Sequence, residues 1–135
     1  MPAVSRLRPL LHVLVCCAAG IVIRAAATVP EDDPETVVVI YQVKPNDAPI
    51  LTKVIAEHWN MARRLNLVHA SPHILVQGKD QGRPYIMEIF TWRDSSIPDN
   101  APDEITRLWQ EMGTLVEDRQ GHPGIDFSPV NILTP

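Results

Sequence analysis

From residue 36 onward the apolar positions of the chain change period element by element, in the order strand, helix, strand, strand, helix, strand. Residues 37–43 read Val, Val, Val, Ile, Tyr, Gln, Val, an almost unbroken apolar run that predicts a strand buried on both faces. Lys44, Pro45 and Asn46 end it. Asn46 or Asp47 is placed to cap a helix whose first turn tolerates Pro49, because the first N–H groups of a helix have no acceptor within it. That helix is expected to run to about residue 65, with Leu51, Val54, Ile55, His58, Ala62 and Leu65 as its apolar stripe. His58 lies on the stripe, with Trp59 beside it.

A second strand is predicted over residues 67–76, carrying His69, Ser71 and His73 and interrupted by Pro72. Proline cannot donate to a central ladder, so this strand should be an edge strand or a bulged one. A polar hairpin loop over 78–82 leads to a return strand over 85–92. On it Ile86, Glu88, Phe90 and Trp92 share one face, while Tyr85, Met87, Ile89 and Thr91 share the other. Asp99 or Asn100 is the expected cap of the second helix, with Pro102, Asp103 and Glu104 in its first turn. Ile105, Leu108, Trp109, Met112, Leu115 and Val116 form its stripe; Arg119 should close its last turn before Gly121 and Pro123 stop it. The last strand holds Ile125, Phe127, Val130, Ile132 and Leu133, and Pro129 again points to an edge.

This order predicts an α+β fold of the ferredoxin-like βαββαβ kind over residues 36–135. Strands one and three are free of internal proline and apolar on both faces, which matches a four-stranded antiparallel sheet of order 4-1-3-2 with those two strands central and two helices on one face. An antiparallel sheet with helices on one side ordinarily wets the other. Here the other side is apolar too, so a homodimer is expected, sheet against sheet, with a closed or nearly closed barrel between the subunits.

The first 27 residues read as an address. Arg6 and Arg8 give a positive start, residues 10–23 are apolar apart from His12 and Gly20, and Ala25, Ala26 and Ala27 offer small residues to a signal peptidase. The run is about 14 residues where a membrane span needs about 20, which favours a cleaved signal and export to the periplasm or the medium over a retained anchor. Cys16 and Cys17 keep a lipidated cysteine open as a further alternative, although Val15 stands where a small residue is usual. Residues 28–35 follow as an acidic, proline-containing tether.

Cleavage changes the composition that matters. Three of the twelve basic residues (Arg6, Arg8, Arg24) leave with the signal, so nine remain against sixteen acidic residues, a formal −7. Both cysteines leave as well, which excludes a disulfide framework, a thiolate metal site and a cysteine nucleophile from the mature protein. The acidic balance argues against nucleic acid as a partner, and after signal cleavage no membrane partner is expected.

Glu88, Ile89 and Phe90, followed by Trp92, Arg93, Asp94 and Ser95, form a strand-three segment with a carboxylate, an aromatic two residues later and an acidic, Ser-bearing turn. This segment, in this order of elements, resembles the dimeric α+β barrel superfamily and within it the antibiotic-biosynthesis-monooxygenase-like domains. The resemblance covers the domain at the level of element order. It implies kinship with oxygenases that need no metal or flavin, with haem-binding relatives and with domains of no assigned activity. Many relatives carry a histidine near the start of helix two, where this chain reads Pro98, Asp99, Asn100, Ala101, Pro102. The imidazole that would ligate haem iron or orient a substrate is therefore missing, and no cofactor is expected.

Among candidate site residues Glu88 is the sharpest anomaly, since a carboxylate on an apolar strand face must find a donor or stay protonated. It would either face His58 across the gap between helix and sheet, as a catalytic acid/base pair, or hold the sheet or dimer together through an arginine such as Arg63, Arg64 or Arg93. His58 reads as a hydrogen-bonded packing residue or as a pocket base. His69 and His73 have no third ligand at a natural spacing, so no metal site is expected. Phe90, Trp92, Trp109 and Trp59 are core residues or the walls of a pocket for a flat apolar ligand. Two functions remain: an exported domain that binds a small hydrophobic molecule or serves as a non-catalytic scaffold, and a cofactor-independent monooxygenase acting on an aromatic, phenol-type substrate. An open pocket around these residues favours chemistry or binding; a filled gap favours a scaffold.

Overall fold

The computed structural model describes residues 33–135, which form β1 (Glu35–Gln42), α1 (Ala48–Arg64), β2 (Val68–Asp80), β3 (Arg83–Trp92), a 3₁₀ turn (Pro98–Asn100), α2 (Asp103–Thr114) and β4 (Ile125–Pro129). The signal read over residues 1–27, and the tether up to residue 32, lie outside the described residues. The strands make one antiparallel sheet of order β2-β3-β1-β4, the expected order read from the opposite edge. Pro72 and Pro129 are on the edge strands, whereas the central β3, expected to be free of proline, begins earlier than predicted and carries Pro84 at its second residue, beyond the last β1 pair at Gln42 and Tyr85. β2 is also bulged, because its register against β3 shifts between Val68 and His73, across Pro72.

Alternation sorts the core. Val37, Val39 and Tyr41 on β1 and Ile86, Glu88, Phe90 and Trp92 on β3 are buried beneath the helices. α1 meets them with Leu51, Val54, Ile55, His58 and Ala62, the predicted stripe, while α2 brings Ile105, Leu108 and Met112. Burying a large aliphatic or aromatic side chain contributes roughly 1.5–3 kcal/mol, so these three faces hold the layers together.

Several boundaries differ from the expectation. The hairpin between β2 and β3 is a two-residue turn rather than a loop over residues 78–82; Gln81 (φ 49°) and Gly82 (φ 80°) both adopt the left-handed region, the geometry whose twist matches the flanking strands. Asp99 and Asn100 do not cap α2. They sit in the 3₁₀ turn, and Pro102 occupies the N-cap position, since its fixed φ suits the entry and its missing N–H is one the helix does not need there. Asp47 is at the N-cap of α1, but its side chain makes no capping bond.

Arg119 is not in the last turn of α2, which ends at Thr114. It is buried beyond the helix as a clamp, donating to the Pro84 carbonyl (2.9 Å), the Val43 carbonyl, Gln42 Oε1 (3.3 Å) and Glu117 Oε1 (2.9 Å). A guanidinium can be buried only if its donors are satisfied, and this one ties the chain after α2 to the ends of β1 and β3. β4 is shorter than predicted and ends at Pro129, although Val130 N–H still reaches the Thr36 carbonyl at 2.8 Å.

The face opposite the helices carries Val38 and Ile40 from β1, Met87 and Ile89 from β3, and Ile74 and Val76 from β2. In the single chain it is uncovered, with Ile74 and Val76 47% and 45% exposed.

Candidate functional site

Between the helix face of the sheet and α2 the side chains leave a cavity of about 310 Å³, within the range of small-molecule sites. Val37, Val39 and Tyr41 form its floor with Phe90 and Trp92; Trp109 and Met112 of α2 form its roof; Ile125 and Phe127 of β4 close one side. Pro98 and Asp99 of the 3₁₀ turn complete the lining, and Asp99, an exposed residue, stands at the rim. The gap is therefore open rather than filled by its own side chains.

His58 is the one imidazole in the lining and is 2% exposed. The indole N–H of Trp109 donates to its Nε2 at 3.1 Å. That bond puts the ring proton on Nδ1, and Nδ1 has no partner among the described residues. Burial holds the imidazole below its ordinary pKa of 6.5, with the charge of Glu88 acting the other way and His73 adding to the depression. The ring is neutral at pH 7. It sits among Phe90, Trp92 and Trp109, with ring centroids 6.1, 6.1 and 6.2 Å away.

Glu88 is fully buried and is not paired with His58. Nor does it meet Arg63, Arg64 or Arg93. The Tyr41 hydroxyl donates to its Oε2 at 2.9 Å, and His73 Nε2 lies 3.0 Å from its Oε1. Arg63 and Arg64 are on exposed positions of α1 and Arg93 is half-buried just past the end of β3, while the helix face of the sheet itself brings a phenol and an imidazole to the carboxylate. Burial first, then the neighbouring Glu88 charge and hydrogen bond, push the Tyr41 pKa well above its ordinary value of 10.0.

Trp59 is not in the pocket. It stacks on His73, with ring centroids 3.7 Å apart and planes 6° from parallel, and Arg63 Cζ lies 5.9 Å from the centroid of the Trp59 ring. Of the expected pocket residues, Phe90, Trp92 and Trp109 do line it, and His58 joins them; Glu88 lies behind Tyr41, outside the lining. The structure therefore separates two sets that the sequence reading had combined: an apolar pocket around His58, and a buried polar cluster around Glu88. Tyr41 belongs to both. Its role, that of His73 and the position of Asp99 were missed, although alternation already put Tyr41 on the face of Val37 and Val39, where a hydroxyl needs a partner.

No family model and no curated protein matches the chain. Solved structures do. SnoaB, a cofactor-independent oxygenase from Streptomyces nogalater, superposes with a TM-score of 0.53 at 17% identity over 77% of this chain and 96% of its own. Rv0793 from Mycobacterium tuberculosis gives 0.56 at 12% over 76% and 97%, and an antibiotic biosynthesis monooxygenase gives 0.53 at 17% over 74% and 99%. The resemblance read from strand three holds at the level of the fold: this chain has the ferredoxin-like α+β fold of the antibiotic-biosynthesis-monooxygenase-like proteins. A shared fold carries no activity with it.

Proposed function

We propose that this protein binds a small, flat, largely apolar molecule in the cavity between the sheet and α2, and that it does so as an exported homodimer. The observation that carries the reading is the cavity itself. Cores pack to near-crystalline density, and an apolar cleft of this size left unfilled by the chain's own side chains offers the room and the walls that a small ligand needs. Dimerisation through the uncovered sheet face is supported by the six aliphatic and thioether side chains that face water there. Export is supported by the composition of residues 1–27.

Native mass spectrometry of the purified mature protein tests binding and assembly together. The expected spectrum is a dimer with a retained small molecule, and Val39→Phe, which fills the cavity floor, should abolish retention while leaving the dimer. An empty wild type that takes up no aromatic probe overturns the reading.

A second reading, cofactor-independent oxygenation, is favoured by the neutral imidazole in an open pocket and by the fold shared with SnoaB. Once the Trp109 N–H turns away from it, Nε2 of His58 would take the proton of an electron-rich phenol; O₂ would add at a ring carbon, one oxygen staying as the new carbonyl and the other leaving as water, giving a quinone. Oxygen uptake with one quinone formed per O₂, lost in His58→Gln, would support it; binding without oxygen uptake supports the first reading.

A further inference from the structure

The electrostatics of the cavity carry the reading above one step further, to the class of molecule it takes, and this inference rests on that reading. Six of the residues that line the cavity present rings: Tyr41, His58, Phe90, Trp92, Trp109 and Phe127. Aromatic faces are negative, and a cation over them is attracted most strongly where water is excluded. Among the described residues no lysine or arginine lines the cavity, and the one ionised group that does is Asp99. Its carboxylate accepts no hydrogen bond and joins no ion pair among the described residues, whereas Asp94 nearby is fully engaged by Ser96. A second carboxylate, Glu88, stands behind Tyr41. Residues 33–135 also carry fourteen acidic against nine basic groups, so the wider field has the same sign.

We propose that the ligand is an organic cation: a flat aromatic or polycyclic body seated among the rings, bearing an ammonium or quaternary ammonium group that stays at the rim beside Asp99. An anionic ligand meets no compensating charge in this cavity. A phenolate or a carbanion would meet none either, and for that reason the cation-binding reading and the oxygenase reading make opposite demands on the same walls. The rim position matters because an ammonium taken fully inside would lose its water, while one held at an exposed carboxylate keeps part of it.

The test uses three matched probes on the purified mature protein: naphthalen-2-ylmethyl-trimethylammonium, naphthalen-2-ylmethanol and naphthalene-2-acetate, which share one ring system and differ in charge. Isothermal titration at pH 7 and low salt is expected to rank cation over alcohol over carboxylate, with about tenfold between the first two. Asp99→Asn should remove most of that advantage, weakening the cation about tenfold and the alcohol far less, because only the cation loses a charge partner. Added salt should weaken the cation alone. Equal binding of cation and alcohol, tightest binding of the carboxylate, or a cation preference that survives Asp99→Asn overturns this inference while leaving the pocket reading intact. No binding of any probe, with Val39→Phe behaving as wild type, overturns the pocket reading and this inference with it.

Discussion

His73 Nε2 lies 3.0 Å from Glu88 Oε1, and the ring that carries that nitrogen lies flat on Trp59. The contact joins β2, β3 and α1, and the Tyr41 hydroxyl on the other carboxylate oxygen adds β1. A carboxylate with no exposure must have its oxygens satisfied, and two strands each supply one donor or partner. The bulge across Pro72 is what allows this. Without the register shift between Val68 and His73, the imidazole would not fall on the face that Glu88 occupies.

Glu88 is therefore a fold residue, and replacing it should show in stability before it shows in binding. Glu88→Gln keeps the shape but gives up one charge-assisted acceptor, so a loss of about 1–3 kcal/mol is expected from urea denaturation. Tyr41→Phe should cost about 1 kcal/mol, and the double variant should cost less than the two together because they share one bond. Binding of a cavity ligand should survive Glu88→Gln, since Glu88 does not line the cavity. Unchanged stability with lost binding would assign Glu88 to the pocket instead.

The sequence carried the element order, the strand order and the buried stripe of α1 because each is a periodicity, and periodicity survives in a single chain. Pro72 and Pro129 marked the edges because a missing N–H is tolerated at an edge, a bulge or a strand start, the last being where Pro84 sits in the central β3. The partners of Glu88 were not legible. They depend on the register between β1, β2 and β3, which brings residues 41, 73 and 88 together, and a single bulge changes that register without any periodic trace. Asp99 was misread as a cap because Asp before a helix is most often one; the 3₁₀ turn moved the helix start to Asp103 and left the carboxylate at the cavity rim.

Gly78 faces Tyr85 across the β2–β3 pair, and a Cβ at Gly78 would stand 2.5 Å from Tyr85 Cζ. The tyrosine ring covers the glycine and fills the space a side chain would take. Gly78→Ala should therefore cost about 1–3 kcal/mol, read from the thermal transition. Pairing it with Tyr85→Ser should recover part of the loss. Simple additivity of the two would mean that the ring is not held there.

Export predicts a mature N terminus. Protein recovered from the periplasmic or secreted fraction should begin near Thr28 on N-terminal sequencing, after the three alanines. Mature protein that still carries residues 1–27, or soluble protein starting at Met1 in the cytoplasm, contradicts the cleaved signal.

Dimerisation through the open sheet face should respond to one charge. Ile40 is central on that face, between Met87 on β3 and Asp126 on β4, so Ile40→Glu should move the mass in solution from two chains to one and lower the melting temperature together. Gln110→Glu, on an exposed position of α2, should do neither. A wild-type chain that scatters light as a monomer at micromolar concentration contradicts the proposed assembly.

Stability should pass through a plateau in pH whose two flanks belong to His58 and Tyr41. The folded protein holds His58 neutral below its ordinary pKa of 6.5, through burial first, with Glu88 opposing and His73 assisting. As pH falls through about 6.5 the unfolded chain takes up a proton at this ring that the folded chain refuses, so stability is lost in that direction, at up to about 1.4 kcal/mol per pH unit, until the folded ring also titrates. At the other end the folded protein keeps the Tyr41 proton well above 10.0, while the unfolded phenol releases it near that value. Stability should fall again above about pH 10 for the mirror reason, since the folded state then binds the extra proton and rising pH favours the state without it. Urea midpoints measured from pH 5 to 11 read both flanks and stay above the range in which Asp94, held below its ordinary 3.8 by Ser96, would contribute. His58→Gln should flatten the acid flank alone, and Tyr41→Phe the alkaline flank alone. An acid flank that persists in His58→Gln would place the proton uptake on another group and leave the buried imidazole without a measurable part in the stability of the fold.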